Sequence, residues 1–437
     1  MRRSARPLGR ASAIYACAAL TLVATLAAEP AWGHVPPWTA EGFPGWVRSA
    51  LIMKGDQPIR AEPRADAPRR GSGFRQARLP IFGAVSGPGC AAHWLQVGPR
   101  AWLCEDDVSL SGSAPLPLVA EDHFGITAGA DGLPFRYYFV GPDGSLAYER
   151  IDDVDIGEPV MSLEPGFVVA VVEQRSLARS LYGRTNRGLW VPMRDLGAAR
   201  PLAFRGSTVG DLTDGAIDFG WVHVERAPLL SRRGQGFVAN GRYRRRFDRV
   251  GVLETKTTFL GHYFRVDDDD WIASRNVRHP TIEPPPAEVR AAHRERWIDI
   301  ELASQTLVAY EGDQPVFATL VSTGRGRTPG HPSETPKGVH RVWVKLLTSV
   351  MDNLENDEAS RYYRIEDVPY VQYFAKAVGL HAAFWHRSFG RVRSHGCVNL
   401  APLDAARLFW WTGPRLPNGW TAVLPTDLDP GTVIRVR

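Results

Sequence analysis

The chain has 437 residues, of which 44% are hydrophobic and 23% charged, so it is long enough for two to four domains. Its formal net charge is +5, but residues 1–33 carry +3 of this and leave only +2 for the rest. The composition therefore gives no electrostatic argument for a nucleic-acid-binding protein.

The N-terminus has the order of a secretory signal peptide. Residues 1–10 contain four Arg and no acid, residues 11–28 are almost wholly apolar, and Ala31-Trp32-Gly33 follows as a candidate cleavage site. We expect residues 1–33 to be a signal peptide cleaved near Gly33, and the protein to be exported to the periplasm or cell envelope. The alternative is an uncleaved anchor, because the apolar run approaches the ~20 residues that a membrane span needs.

Four cysteines are present, and the predicted signal peptide contains Cys17. Cys90 and Cys104 flank an aromatic strand pattern, and in an exported protein such a pair predicts a disulfide. In the chain-entropy model, closing a loop of this length contributes about 3 kcal/mol. The alternative is two buried free thiols. Cys397 remains as the free cysteine.

Short apolar alternations broken by Gly, Asp and Pro predict a chain dominated by β-strands. One aromatic spacing recurs three times, in Trp94/Trp102/Val108, Tyr182/Trp190/Leu196 and Tyr263/Trp271/Val277. These repeats resemble bacterial SH3-like modules, small β-barrels predicted at 50–112, 118–200 and 217–280. The alternative is chance recurrence of aromatic residues in a β-rich sequence.

A Pro-rich linker is predicted at 281–292, ahead of a mostly-β domain at 293–437. The predicted elements of that domain are a strand at 297–302, a hairpin formed by 305–310 and 315–322, a strand at 338–345, a short helix at 402–411 and a strand at 432–436.

The candidate catalytic residues lie in the segment from His381 to Leu400, which includes Ser394-His395-Gly396-Cys397. A thiolate is a strong nucleophile, and a nearby imidazole lowers the pKa of a thiol and carries protons for the leaving group. Gly396 permits a sharp turn that presents N–H groups to a developing oxyanion.

This arrangement resembles the L,D-transpeptidase (YkuD) catalytic domain, whose signature is an upstream histidine followed by Ser-His-Gly-Cys, an apolar residue and Asn or Arg. The similarity extends over nearly all of 293–437 through Trp297–Ile300, Gln305–Leu307, Ser322–Gly324, Thr335–Gly338, Lys345, Tyr363–Pro369, Phe374 and Gly379–His381. The resemblance implies a mainly β protein: SH3-like small barrels, then a mostly-β YkuD-like catalytic domain with a short helix after the nucleophile. Ala382-Ala383 departs from the family, in which Gly often follows the histidine.

The resemblance implies that Cys397 is the nucleophile and His381 the base, with the His381 ring oriented by the Ala382 carbonyl. His395 would shape the site, and Gly396 with the Cys397 N–H would form the oxyanion hole. Further candidates, for loop support or substrate contact, are Ser394, Asn399, Trp385, His386, Arg393, Tyr363 and Tyr373.

Three other binding chemistries are weighed for these and other residues: zinc, calcium and an anionic polymer. His381, His386, His395 and Cys397 are residue types that bind zinc, but their spacing matches no zinc pattern. The run Asp267–Asp270 lacks the spaced ligands of a calcium loop. The run Arg242–Phe247 favours a charged strand face, or contact with anionic wall polymers, over nucleic acid.

The implied function is peptidoglycan L,D-transpeptidation through an acyl-enzyme on Cys397, with stem peptides as partners, no metal or other cofactor, no nucleic acid and an undetermined oligomeric state. The alternatives are an L,D-carboxypeptidase acting on the same stem and a non-catalytic wall-binding scaffold, because three SH3-like modules would bind with avidity.

Overall fold

The computed structural model describes residues 44–116, 129–210, 212, 215–328, 331–353 and 363–437. The predicted signal peptide, and residues 118–128 of the second predicted module, lie outside these ranges. Within them, no helix is both long enough and apolar enough to cross a membrane.

The described chain is mostly β, as predicted, and its first three units are built from short strands. The first unit contains β1 (Ser49–Ile52), β2 (Gln57–Arg60), β3 (Arg69–Gly73), β4 (Arg78–Leu79), β5 (Gly83–Val85), β6 (Trp94–Gly98), β7 (Ala101–Cys104) and β8 (Val108–Ser111). The middle unit contains β9 (Arg136–Val140), β10 (Ser145–Ala147), α1 (Asp153–Ile156), β11 (Met161–Leu163), β12 (Val168–Leu177), β13 (Ser180–Thr185), β14 (Trp190–Pro192) and β15 (Leu196–Ala198), and β16 (Ser207–Thr208) follows it. The third unit contains β17 (Phe219–Val222), β18 (Arg226–Arg233), β19 (Gly236–Arg245), β20 (Arg249–Gly251), β21 (Glu254–Thr258), β22 (Gly261–Arg265), β23 (Trp271–Ala273) and β24 (Val277–Arg278).

The three units share one local structure at the recurring aromatic residues. In each, an antiparallel pair aligns the first aromatic residue with the position ten residues later, in Trp94↔Cys104, Tyr182↔Pro192 and Tyr263↔Ala273. A 3-10 turn follows the second strand every time, at Glu105–Asp107, Met193–Asp195 and Ser274–Asn276. The repeat is therefore structural and not a coincidence of composition, while the SH3-like assignment of the units remains a prediction.

The C-terminal region begins after a 3-10 turn at Ala291–His293. Its elements are β25 (Arg296–Glu301), β26 (Thr306–Glu311), β27 (Gln314–Ser322), β28 (Gly326–Thr328), β29 (His331–Ser333), β30 (Gly338–Arg341), β31 (Val344–Asp352), β32 (Arg364–Ala375), β33 (Val378–Ala382), β34 (Val398–Leu400), α2 (Pro402–Trp411), β35 (Trp420–Val423) and β36 (Val433–Val436). The helix has the predicted bounds, with proline in its first turn, where the missing N–H costs nothing.

Two sheets of this region share strand β27. One sheet runs β30-β36-β25-β26-β27, and the other runs β27-β34-β33-β32-β31-β35. The single strand predicted at 338–345 is wrong, because the chain changes sheets there. Val342 donates its N–H to Thr432 O, next to β36 of the first sheet, whereas Trp343 donates to Tyr373 O in β32 of the second. The apolar alternation of residues 338–345 continues across this point, so the sequence does not reveal that the chain changes its hydrogen-bond partner.

The N-terminal units pack directly on the C-terminal region. Strand β3 pairs with β35, Val168 of β12 pairs with Ile365 of β32, and β16 pairs with β27. Apolar clusters also cross the boundaries: Ile52 and Ile59 belong to the same core as Leu380, and Phe219 and Trp221 belong to the same core as Trp297.

The predicted linker also makes specific contacts with the C-terminal region. The Glu283 N–H donates to Tyr310 Oη, Arg435 donates to Pro284 O, and Val289 is buried in the core that contains Trp297. The segment therefore lies along this region instead of separating it from the rest of the chain. The predicted domain boundaries themselves remain predictions.

Candidate active site

The loop that ends in Cys397 is closed by one serine. Ser394 Oγ donates to Cys397 O at 2.5 Å and accepts the Gly396 N–H at 3.1 Å. Gly396 has φ +134°, a backbone conformation that residues with a side chain rarely adopt. Thr335 supports the loop from below, because its Oγ1 donates to Gly396 O at 2.7 Å and accepts the Gly324 N–H at 3.0 Å.

Cys397 is partly exposed at the start of β34 and is the only free cysteine among the described residues. Burial raises the pKa of its thiol above the usual value of 9.0, while a hydrogen bond from the Gly379 backbone works in the opposite direction. The Gly396 N–H is already bound to Ser394, and among the described residues the Cys397 N–H has no such partner. The Cys397 N–H is therefore available to meet an oxyanion.

His381 lies on β33, which pairs in parallel with β34 and places His381 opposite Asn399. Its Nδ1 lies 2.9 Å from Ala382 O, and only a protonated Nδ1 can bond to a carbonyl oxygen. Burial lowers the pKa of His381 to about 4, so the ring is neutral at pH 7 and its Nε2 carries an unprotonated lone pair. Trp385 stacks on this ring with centroids 5.8 Å apart.

The ring of His386, which also lines the cavity, is held by two neighbours. Its Nδ1 accepts the Ser388 N–H at 3.1 Å, and burial lowers the pKa of His386 to about 3. The neutral ring must therefore carry its proton on Nε2, which lies 2.8 Å from the Asn399 amide. To accept this proton, the Asn399 amide must turn its oxygen toward Nε2, and its nitrogen then takes the buried position that has no partner among the described residues.

A cavity of about 350 Å³ brings most of the predicted residues together. Predicted residues that line it are Tyr363, His381, Trp385, His386, Arg393, Ser394, His395, Cys397 and Asn399. His395 is exposed, its ring stacks on Tyr363 with centroids 6.2 Å apart, and partial burial together with Arg325 and Arg393 lowers its pKa. Tyr373 does not line the cavity and stacks on Trp343 instead.

The remaining lining residues were missed by the sequence analysis. Phe139, Gly166 and Val168 come from the middle unit, and Arg325, Met351 and Ile365 come from the C-terminal region. Arg325 directly follows the Ser-Thr-Gly segment, and its Nε donates to Arg393 O at 2.9 Å. Among the described lining residues, the groups with a full charge are Arg325 and Arg393, so this described part of the lining is electropositive.

The four side chains proposed as zinc ligands do not form a metal cluster in the described residues. The group of ligand atoms close enough to hold an ion there is Cys90, Cys104 and Asp106, and the two cysteines form a disulfide. That disulfide connects residues on either side of β6, as the sequence analysis expected.

Comparison with known proteins gives a family match in the C-terminal region. The profile of the L,D-transpeptidase catalytic domain (YkuD) matches residues 295–436, and no curated protein sequence matches the chain.

Solved structures of L,D-transpeptidases are similar to part of the chain. The Enterococcus faecium catalytic domain is 24% identical, over 33% of this chain and 98% of that one, with a TM-score of 0.25. Mycobacterium tuberculosis L,D-transpeptidase 3 with a faropenem-derived adduct is 18% identical, over 43% and 82%, with a TM-score of 0.25. LdtMt1 in complex with imipenem is 21% identical, over 42% and 81%, with a TM-score of 0.25. The assignment of residues 295–436 therefore rests on the family match and not on these structural similarities.

Proposed function

Since residues 295–436 are a YkuD-type L,D-transpeptidase catalytic domain, we propose that this protein is a peptidoglycan L,D-transpeptidase that forms an acyl-enzyme on Cys397. One observation carries the assignment of roles. His381 holds its proton on Nδ1 through Ala382 O, and it lines the same cavity as Cys397. A neutral histidine with a free Nε2 beside a thiol is a general base for that thiol.

In the acylation step, the Cys397 thiol transfers its proton to His381 Nε2 as sulfur attacks the carbonyl between the third residue of a stem tetrapeptide and its terminal D-Ala. The Cys397 N–H stabilises the negative charge on the carbonyl oxygen. His381 then gives the proton to the departing amine of D-Ala, and the C–N bond breaks to leave a thioester. Because neither group is charged at rest, proton transfer accompanies the attack.

In the second step, an amine from another stem or from an anchored protein attacks the thioester. His381 takes a proton from this amine, the new amide forms and the thiolate leaves, after which His381 returns the proton to sulfur. Water in place of the amine makes the same enzyme a carboxypeptidase. A stem peptide suits this cavity as substrate, because Arg325 and Arg393, among its described lining residues, can bind carboxylates.

We also propose that the protein works outside the cytoplasm, in the periplasm or cell envelope. The Cys90–Cys104 disulfide supports this location, since such bonds persist in oxidising compartments. Recovery of a mature chain that begins near residue 34 from the envelope fraction would establish export, whereas an intact Met1 in the cytoplasmic fraction would contradict it.

The enzymatic proposal is tested by mass spectrometry of the mature protein incubated with a purified stem tetrapeptide, with and without a second stem as the acceptor. We expect a thioester adduct on Cys397, release of D-Ala and a cross-linked product, all of them absent from Cys397→Ala. Release of D-Ala without cross-linked product would assign the carboxypeptidase, and no adduct with either substrate would refute both activities.

A further inference from the structure

A second electropositive groove lies between the third unit and the loop that carries His386. Its volume is about 490 Å³, and it is lined by Leu202, Glu225, Arg226, Tyr243, Arg245, Arg246, Phe247 and Arg387. We call it the arginine groove. Arg387 directly follows His386, and the positive charge of Arg246 contributes to the lowered pKa of His386. The groove is therefore adjacent to the catalytic cavity.

The described lining of the arginine groove has more positively charged than negatively charged side chains. Among the described residues, four arginines line it with a single carboxylate, Glu225. Glu225 is shared, because it lies 3.0 Å from Arg246 and 3.9 Å from Arg391. The Arg246 side chain is only 14% exposed, and its buried Nε has no hydrogen-bond partner in the described part of the chain. An arrangement of this kind attracts an anion that accepts several N–H bonds.

Two exposed arginines of the groove are held on one face of the β18–β19 hairpin. Arg226 pairs with Arg245 and Pro228 pairs with Tyr243, so these side chains point to the same side of the sheet. The Arg226 guanidinium lies 3.8 Å from the centroid of the Tyr243 ring, a contact that orients the charged group. Because Arg226, Tyr243 and Arg245 are exposed, the face is open to a large ligand.

We propose that the arginine groove is a second binding site for peptidoglycan, which holds the carboxylates of a stem peptide other than the one acylated at Cys397. This inference rests on the proposed function, since the polymer processed in the adjacent cavity carries acidic stems at regular intervals. Guanidinium groups recognise carboxylate and phosphate alike, but the position beside the catalytic loop favours a neighbouring stem of the same polymer over a separate phosphate polymer.

The test uses the full mature chain in the inactive Cys397→Ala background and peptidoglycan sacculi stripped of phosphate polymers. The groove variant is Arg226→Ser with Arg245→Ser, and the matched control is Arg232→Ser with Arg233→Ser, which removes the same charge from the far end of the hairpin. We expect the groove variant to bind sacculi about three- to tenfold more weakly and with a shallower dependence on salt, and the control to bind as the parent.

A second arm measures turnover of a soluble tetrapeptide with Cys397 restored, and we expect the groove variant to retain it. Equal sacculus binding by the groove variant and the control would overturn the proposal. Binding that appears only with phosphate-containing sacculi, and that inorganic phosphate or polyphosphate abolishes, would also overturn it and assign the groove to a phosphate polymer. Failure of the proposed function would appear separately, as absent turnover in the parent, because the binding arm needs no catalysis.

Discussion

The Nδ1 atom of His381 lies 2.9 Å from the carbonyl oxygen of the next residue, Ala382. This contact between neighbours in sequence fixes the tautomer of the ring, because the carbonyl oxygen accepts only from a protonated nitrogen. It also explains why Ala is acceptable where many family members have Gly: the group that orients the ring belongs to the backbone. Since His381 is neutral at pH 7 and the thiol pKa of Cys397 is raised, the resting pair carries no charge.

The first prediction concerns pH. Burial lowers the pKa of His381 to about 4, so we expect kcat/KM to stay level from about pH 5 to pH 8 and to fall as the pH approaches 4 and the base becomes protonated. Alkylation of Cys397 by iodoacetamide should accelerate with pH through 9, because only the thiolate reacts. Rapid alkylation with a plateau between pH 5 and pH 8 would instead reveal a thiolate–imidazolium pair.

The second prediction separates the two histidines of the cavity wall. Loss of the general base in His381→Ala should lower kcat about 10²- to 10⁴-fold, and Cys397→Ala should abolish acylation. His386→Ala should cost less, since both of its ring nitrogens are occupied by Ser388 and Asn399. The family resemblance also implies a carbapenem adduct on Cys397. Turnover and adduct mass check the series, and our assignment of the base would fail if His381→Ala remained active while His386→Ala did not.

The third prediction concerns Thr335, a positioning residue beneath the nucleophile loop. Thr335→Val keeps the volume but removes the hydroxyl that bonds to Gly324 and Gly396. We expect kcat to fall at least about tenfold with little change in KM, because the Cys397 N–H shifts from its place. Thr335→Ser retains the hydroxyl and should stay within about threefold of the parent. Equal losses in the two variants would show that packing of the methyl group matters instead.

The surroundings of the proposed nucleophile and base could be predicted from sequence because their contacts are local. Ser394 through Cys397 form one turn, and the orienting partner of His381 is its chain neighbour. Phe139 and Val168 could not be predicted, since they reach the cavity only through pairing of β12 with β32, about two hundred residues further along the chain. No feature of their own strands marks them as different from ordinary core residues.

In the fold too, features set by neighbouring residues could be predicted, whereas features set by residues distant in the sequence could not. The helix at 402–411 has a proline at its start and an amphipathic pattern, and its bounds were predicted correctly. The break after Arg341 was missed because it depends on Thr432, next to β36 of one sheet, and on Tyr373 in β32 of the other. The Gly396 N–H bonds to Ser394, a contact that spacing alone does not reveal, and the expected part of Gly396 in the oxyanion hole stays a prediction.

The fourth prediction concerns the wall that the middle unit contributes. Phe139→Ala enlarges the catalytic cavity without altering the nucleophile loop, so we expect KM for the stem peptide to rise while the iodoacetamide labelling rate of Cys397 stays unchanged. Phe259→Ala is the matched control, because that ring is 92% exposed in the third unit. Unchanged KM with the same substrate would show that Phe139 does not contact it, and faster labelling would mean that Phe139 instead shields the thiol.

The last prediction concerns Lys345, which is fully buried at the C-terminal end of α2. Its ammonium group donates to Phe409 O and Thr412 O and faces the Phe409 ring, and burial lowers its pKa from 10.5 to about 7. Between these two values the unfolded chain binds more protons than the folded one, so the free energy of unfolding should rise with pH from about 7 to 10.5.

Lys345→Met should remove this contribution. The free energy of unfolding of the parent minus that of the variant should therefore increase over this pH range by up to a few kcal/mol. Lys337→Met, on the surface, controls for the loss of a lysine, and chemical denaturation at several pH values provides the measurement. A difference between the parent and Lys345→Met that stays constant across this range would mean that Lys345 remains charged in the folded protein.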